Sequence, residues 1–300
     1  MVIPQTAGLH DAWPAALPDR IELADVPFFA QDEYQCGPAA LAMTLRYAGV
    51  GITPDELVPQ VYLPARKGSL QVEMLAAPRK HGIVSYALAP RLQDVLAEVA
   101  AGNPVIVLID FGVWPISLWH YADVIGYERA TGEAILRSGL HERLRMPLGV
   151  LEYLWKGSER WSMVTLPPGR IPATATEDGY AAAITAMARV GGPSATRKAY
   201  TAFLARWPGN VEGSIGLANS HYAAGELKEA EAVLRDASTR HPDSTPVLNN
   251  LAQVISDEGR NEEALAIIDK ALEAPGAFAA QAGETRALIV RRISLAKPRS

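Results

Sequence analysis

A 34-residue spacing in the C-terminal half constrains the fold of this chain more than any other feature. Pro208 and Pro242 stand 34 residues apart, as do Leu217 and Leu251, Ala218 and Ala252, Gly225 and Gly259, Glu229 and Glu263, Ala230 and Ala264, and Ala237 and Ala271. Seven positions in one phase imply a supersecondary unit that buries its apolar face against copies of itself. Small Ala residues let paired helices approach, Gly makes the turn between them, and Pro ends the second helix. Residues 177–207 read as a weaker copy, with Gly191 and Trp207 in phase and Thr196 in place of the Ala. Ala277 to Leu295 then reads as a capping helix that completes the stack.

The unit with a mid-repeat Gly and a closing Pro resembles the tetratricopeptide repeat, which implies a protein partner bound by the repeats. Upstream, Pro167-Pro168-Gly169-Arg170-Ile171-Pro172 has the composition of a linker, and the preceding half is patterned differently. Residues 1–24, rich in Pro and Ala, read as an extended segment, and Val26–Phe29 as a short strand. A helix is expected from Cys36 to Ala48, with Pro38 in its first turn and Gly49 at its stop. Thr53-Pro54-Asp55-Glu56 caps a second helix. A third opens at Gly68-Ser69 and stops near His81-Gly82, with Pro78 kinking or ending it. Leu92, Val95, Leu96 and Val99 recur at helical spacing. Ile83–Leu88, Pro104–Ile109, His120–Tyr127, Gly132–Arg137 and Trp161–Leu166 read as strands, and a short helix is expected near Val150–Trp155. Pro104–Ile109 is apolar without alternation, so both its faces are buried. Helices followed by a mostly antiparallel sheet make an α+β layout.

Cys36 is the only cysteine, and it lies where a polar loop turns into an apolar helix. Unpaired N–H groups and the macrodipole at a helix start favour thiolate, the nucleophilic form. The alternative is a small buried hydrophobe on a core helix. A cysteine nucleophile needs a base from elsewhere in the chain. His10, His81, His221 and His241 read as surface or capping residues, and His141 lies in a polar segment. His120 opens a strand, where a base is rigidly held yet accessible. Phe111, Trp114 and Trp119, in the loop before it, either line a cleft or pack into the core. Asp110, at a strand end, reads as a turn or capping residue rather than a catalytic one.

Composition removes other classes. A net charge of −5 without a block of like charge disfavours nucleic acid as a partner. One cysteine leaves no intramolecular disulfide and no Cys-rich zinc site, and nothing in the pattern asks for a cofactor or metal. No apolar run reaches membrane-spanning length, so no membrane span is expected in this chain. The segment Met1–Pro18 lacks a basic start and an apolar core, so no signal peptide is expected, which fits a cytoplasmic chain or a mature, trimmed one.

Gln31 with Cys36-Gly37-Pro38-Ala39-Ala40-Leu41-Ala42-Met43, then Gly68-Ser69-Leu70, then His120-Tyr121-Ala122-Asp123-Val124-Ile125-Gly126-Tyr127 resemble the papain-like cysteine peptidases that process bacteriocin leaders at double-glycine sites. That family has exporter-fused and free-standing members, and no exporter segment is seen here. The resemblance covers about 24–166. It implies a papain-like domain at 25–167, a linker at 168–176 and a tetratricopeptide-repeat domain at 177–300. It also implies Cys36 as nucleophile, His120 as general base, Gln31 as oxyanion-hole donor with Gln35 as the alternative, and a peptide or protein substrate. Free-standing relatives with repeats point to a bacterial envelope location.

One departure bears on the chemistry. An Asp-Pro pair is expected near the end of the strand after the histidine, and here that place reads Leu136-Arg137-Ser138-Gly139. Ser138 occupies the position of the acid. If the hairpin turns symmetrically about Ala130, Ser138 opposes Ala122, on the same face as His120, and Asp123 points to the other face. A hydroxyl can orient an imidazole but cannot stabilise imidazolium as a carboxylate does. Two readings are open: a slower or specialised cysteine peptidase whose repeats recruit its substrate, or a catalytically inactive papain-like scaffold that acts through its repeats.

Overall fold

The computed structural model describes residues 3–30, 35–112, 116–273 and 276–296. The chain forms two compact units, 1–191 and 192–300.

The first unit is an antiparallel sheet with helices. In chain order it runs α1 (Pro4–Asp11), β1 (Arg20–Glu22), α2 (Cys36–Tyr47), α3 (Pro54–Val61), β2 (Tyr62–Leu63), β3 (Gly68–Ser69), α4 (Gln71–Lys80), β4 (Val84–Ala87), α5 (Leu92–Ala100), β5 (Val105–Asp110), β6 (Trp119–Glu128), β7 (Glu133–Ser138), β8 (His141–Pro147), α6 (Leu148–Trp155), β9 (Ser162–Leu166) and α7 (Glu177–Ala188). Among the described residues the main sheet has the order β4-β9-β5-β6-β7-β8, with β1 on the far end of β6, and β2 and β3 form a separate ribbon. Val105–Ile109 is buried on both faces, as its unbroken apolar run requires. On one face, Leu41, Met43 and Leu45 of α2 pack with Ile106, Leu108, Tyr121, Ile125 and Met163 of the strands.

The β6–β7 hairpin sets the register of the site. Its turn pairs Glu128 with Glu133 and Tyr127 with Ala134, one residue away from the symmetric expectation. An irregularity between Val124 and Gly126 absorbs the extra residue, so that Val124 faces Leu136 and Asp123 faces Arg137. A bulge of this kind reverses which face the succeeding residues take. The main-chain carbonyl of Ile125 accepts the N–H of Leu23 at 2.7 Å.

Several expectations need correction. The segment 1–24 is not extended throughout, because Pro4 starts α1. Its first amides are capped by buried Glu152, at 3.1 Å from Gln5 N and 2.7 Å from Thr6 N. Such a long-range cap has no local sequence signal. The strand lies at Arg20–Glu22 rather than Val26–Phe29, and the carbonyls of Ala24 and Val26 instead accept from Arg137. Gly68-Ser69 is a strand, and the third helix begins at Gln71 and runs through Pro78 to Lys80. β8 has no counterpart among the expected strands, since His-Glu-Arg-Leu-Arg-Met-Pro is mostly exposed and shows no clean alternation.

The linker expected at 168–176 is fastened to the first unit. Buried Glu98 accepts Thr174 N at 2.7 Å and Thr174 Oγ1 at 2.6 Å, and Arg170 donates to Asn103 Oδ1 at 2.7 Å. Tyr180 of α7 donates to the Arg170 carbonyl at 3.0 Å and its ring lies 6.4 Å from that of Tyr86. The first compact unit extends through α7 to residue 191, beyond the linker expected at 168–176.

The second unit is all helical: α8 (Pro193–Arg206), α9 (Val211–Ala223), α10 (Leu227–Arg240), α11 (Thr245–Asp257), α12 (Asn261–Glu273) and α13 (Ala279–Ala296). The repeat positions take their expected roles. Ala218, Ala230, Ala237, Ala252, Ala264 and Ala271 are buried in one core, and the turn glycines Gly225 and Gly259 have φ of +76° and +88°, where only glycine is unstrained. α13 provides the capping helix, with Ala282 and Ile289 buried in the same core.

Candidate active site

Three separated sequence elements meet at the N-terminus of α2. Gly37 lies under the β2–β3 ribbon, and a Cβ there would stand 2.3 Å from Ser69 Oγ. Only glycine admits the ribbon this close. The Tyr121 hydroxyl, from β6, donates to the Ser69 carbonyl at 3.1 Å. Gly126, the last glycine of the His-Tyr element, sits under β1, where a Cβ would lie 2.5 Å from the Ile21 carbonyl oxygen.

Cys36 is the first residue of α2 and is partly buried against the core. Burial pushes its thiol above the ordinary value, opposed by the backbone N–H groups of Tyr121, Gly37 and Cys36 itself. The expected pull of the helix start on the thiolate is thus present but outweighed by desolvation. The Tyr121 amide, from the residue next to His120, is among the backbone groups that draw the thiol value down.

His120 Nε2 lies 2.9 Å from Ser138 Oγ. Ser138 is 4 % exposed, so its hydroxyl has few partners to choose from besides the imidazole. Burial lowers the His120 pKa to about 4. The Phe111 ring covers the imidazole, with ring centroids 5.5 Å apart. Asp123, by contrast, is fully buried. Neither of its carboxylate oxygens has a hydrogen-bond partner, and burial holds its pKa well above the ordinary carboxylate value, against the opposing charge of Arg137.

The structure therefore brings Ser138 to His120, and places Cys36 at the start of α2. Gln31 and Trp114 lie outside the described residues. Gln35 is the residue before α2, and its carbonyl accepts the N–H of Ala39 at 3.1 Å. Phe111, Ile116, Leu118 and Trp119 are 41, 75, 61 and 46 % exposed, so the aromatic and apolar residues around the loop form a rim rather than core. The remaining histidines are engaged elsewhere or exposed: His81 with Gln60, His221 with Glu226, His241 with the Gly209 carbonyl, and His10 and His141 on the surface. Among the described residues no cluster of three His, Cys, Asp or Glu side chains could hold a metal ion. Sequence reasoning does not find the contact of Ser69 with Gly37 or the place of Phe111 on His120. The Asp-Phe-Gly sequence at the end of β5 is a turn signal that could have drawn attention to the second.

Comparison with known proteins agrees with this division. Residues 23–138 match the Peptidase_C39 like family, and residues 191–254 and 223–288 match the tetratricopeptide repeat. No curated protein matches the chain. Among solved structures, a protein from Bacillus anthracis described as a C39-like peptidase has a TM-score of 0.42 at 17 % identity, over 50 % of this chain and 98 % of its own. The peptidase domain of Streptococcus ComA, a bi-functional ABC transporter involved in quorum sensing, has a TM-score of 0.39 at 16 % identity, over 47 % of this chain and 98 % of its own. The MamA protein has a TM-score of 0.32 at 15 % identity, over 40 % of this chain and 70 % of its own. The chain thus joins a segment similar to the Peptidase_C39 like family to a segment of tetratricopeptide repeats.

Proposed function

We propose that the first unit is a cysteine peptidase in which Cys36 is the nucleophile, His120 the general base and Ser138 the residue that orients the imidazole, and that the repeat unit recruits a protein substrate or partner. The observation that carries this reading is the convergence at the mouth of β6. Ser138 engages Nε2 of His120, and the amide of the next residue, Tyr121, draws the Cys36 thiol value down. That engagement leaves Nδ1 as the ring nitrogen for the thiol proton. Burial raises the thiol and lowers the imidazole, so the resting pair is neutral and the preformed ion pair of an acid-bearing site is disfavoured here.

With a neutral resting pair, the thiol proton passes to His120 as the sulfur attacks the substrate carbonyl. The oxyanion forms beside the N–H groups at the start of α2, with Gln31 or Gln35 as a further donor. His120 then gives its proton to the leaving amine, and water hydrolyses the thioester with His120 again as base. The lowered His120 and the hydroxyl in place of an acid favour one rival, an inactive scaffold acting through the repeats. The Cys36→Ala variant distinguishes the two. Wild-type protein should hydrolyse peptide or protein substrates and become labelled by a thiol-directed active-site probe, and the variant should do neither while keeping its circular dichroism. Hydrolysis undiminished in the variant would sink the peptidase reading.

A further inference from the structure

Beyond Asp110 at the end of β5, the chain makes a loop before returning as β6, and the neck of that loop is closed by one side chain. Asp110 Oδ1 accepts the N–H of Gly112 at 2.8 Å and of Leu118 at 2.7 Å. Phe111 N donates to the Leu118 carbonyl at 3.0 Å. Gly112 is pressed against the returning chain, where a Cβ would lie 2.1 Å from the Ile116 carbonyl oxygen. Phe111 is therefore fixed by bonds on both sides of the neck. Its ring is tilted 48° to the imidazole of His120. It is 41 % exposed, so one side meets solvent while the other covers the base.

We propose that Asp110 is a positioning residue: by closing the neck it holds Phe111 over His120, keeps water from the imidazole, and so sets the range over which the base is protonated. The consequence for turnover rests on the peptidase reading above. The packing and the proton equilibrium of His120 do not.

The groups around the ring are Asp110 from β5, which flanks Ile109, the cross-strand partner of His120; Ser138 from β7; His141 from β8, paired with Ser138; and Cys36 from α2. Arg137, next to Ser138, is directed to the carbonyls of Ala24, Val26 and Glu142. Burial is the cause of the depressed His120 value, and Phe111 is the side chain whose removal would relieve it most directly. Burial is the one cause that shifts His120, with no contribution from the Asp110 charge, and a role through charge would act in the opposite sense. A negative charge near an imidazole raises its pKa, so losing the charge alone would lower His120, whereas losing the neck should raise it. The two roles thus predict opposite signs.

The experiment is an NMR titration of His120 in the full chain, assigned with His120→Gln, for the wild type and four variants. Phe111→Ala and Asp110→Ala should move the midpoint upward from about 4 toward the ordinary histidine value of about 6.5. Phe111→Leu keeps an apolar cover and Asp110→Asn keeps an acceptor, so both should stay near the wild type. An unmoved midpoint in Phe111→Ala, or a downward shift in Asp110→Ala or Asp110→Asn, would overturn the proposal. Peptide hydrolysis is measured on the same samples. Midpoints that move as expected in a chain with no hydrolysis overturn the peptidase reading and leave the role of Asp110 standing. Hydrolysis with unmoved midpoints does the reverse.

Discussion

Two buried polar side chains of the β6–β7 hairpin lead to opposite expectations at the residue scale. Ser138 supplies a hydroxyl where a carboxylate would hold an imidazolium. Ser138→Asp should raise the His120 midpoint above about 4 and move the acid limb of peptide hydrolysis to higher pH, because the new charge stabilises the protonated ring. An unchanged pH profile would mean that the hydroxyl contributes no more than orientation. Burial raises the Asp123 pKa well above its ordinary value, whereas the carboxyl ionises freely in the unfolded chain above about pH 4. A group with a raised native pKa contributes stability that is full at low pH and lost as pH rises. Asp123→Asn should therefore stabilise the protein at pH 7, with the gain shrinking toward pH 4. Urea midpoints across that range test it, and a variant less stable than wild type at pH 7 would point to an ionised Asp123 paired with Arg137.

The β6–β7 hairpin shows, at the scale of the element, both how far the sequence can be read and where it stops. The strands are legible from their apolar runs, and the shared face of His120 and Ser138 from parity. That parity holds because two irregularities cancel. The turn is offset by one residue, and the bulge at Ile125 takes the offset back. Neither has a local signal, since the bulge is specified by β1, which crosses at Gly126 and bonds the Ile125 carbonyl. Gly126→Ala would press a Cβ into the Ile21 backbone, and backbone yields less readily than a flexible side chain. It should cost about 1–3 kcal/mol, read as a lower urea midpoint with an unchanged m-value. A variant as stable as the wild type would show that β1 can shift away. The same logic explains why α1 and β8 are illegible: one depends on Glu152 from a distant helix, and the other is an exposed edge strand without a periodic pattern.

For the whole molecule, composition locates the change from sheet to repeats, and the compact units divide after residue 191. Pro167-Pro168-Gly169 has the composition of a linker, yet Glu98 and Asn103 bind Thr174 and Arg170 just beyond it. Buried carboxylates seeking donors are invisible to a compositional reading. A fragment ending at residue 191 should fold, whereas one ending at 176 loses Tyr180, Ile184 and Met187, all buried, and should melt at least about 5 °C lower. Equal melting temperatures would restore the earlier boundary. In the repeats, period and turn glycines are enough to read the architecture, because each unit contacts mainly its neighbours.

Gly37 and Gly126, which make the N-terminal signature recognisable, mark places where another strand passes within reach of a side chain that is absent. They record contacts rather than chemistry. On the peptidase reading, a descendant of this chain that abandoned hydrolysis would retain both glycines for as long as it retained the fold, and would still be recognised by them. On that reading, loss of hydrolysis would show first at positions outside these two contacts, such as the hydroxyl of Ser138 and the exposed face of Phe111. Sequences related to this one can thus be sorted by those two positions while their signatures remain identical.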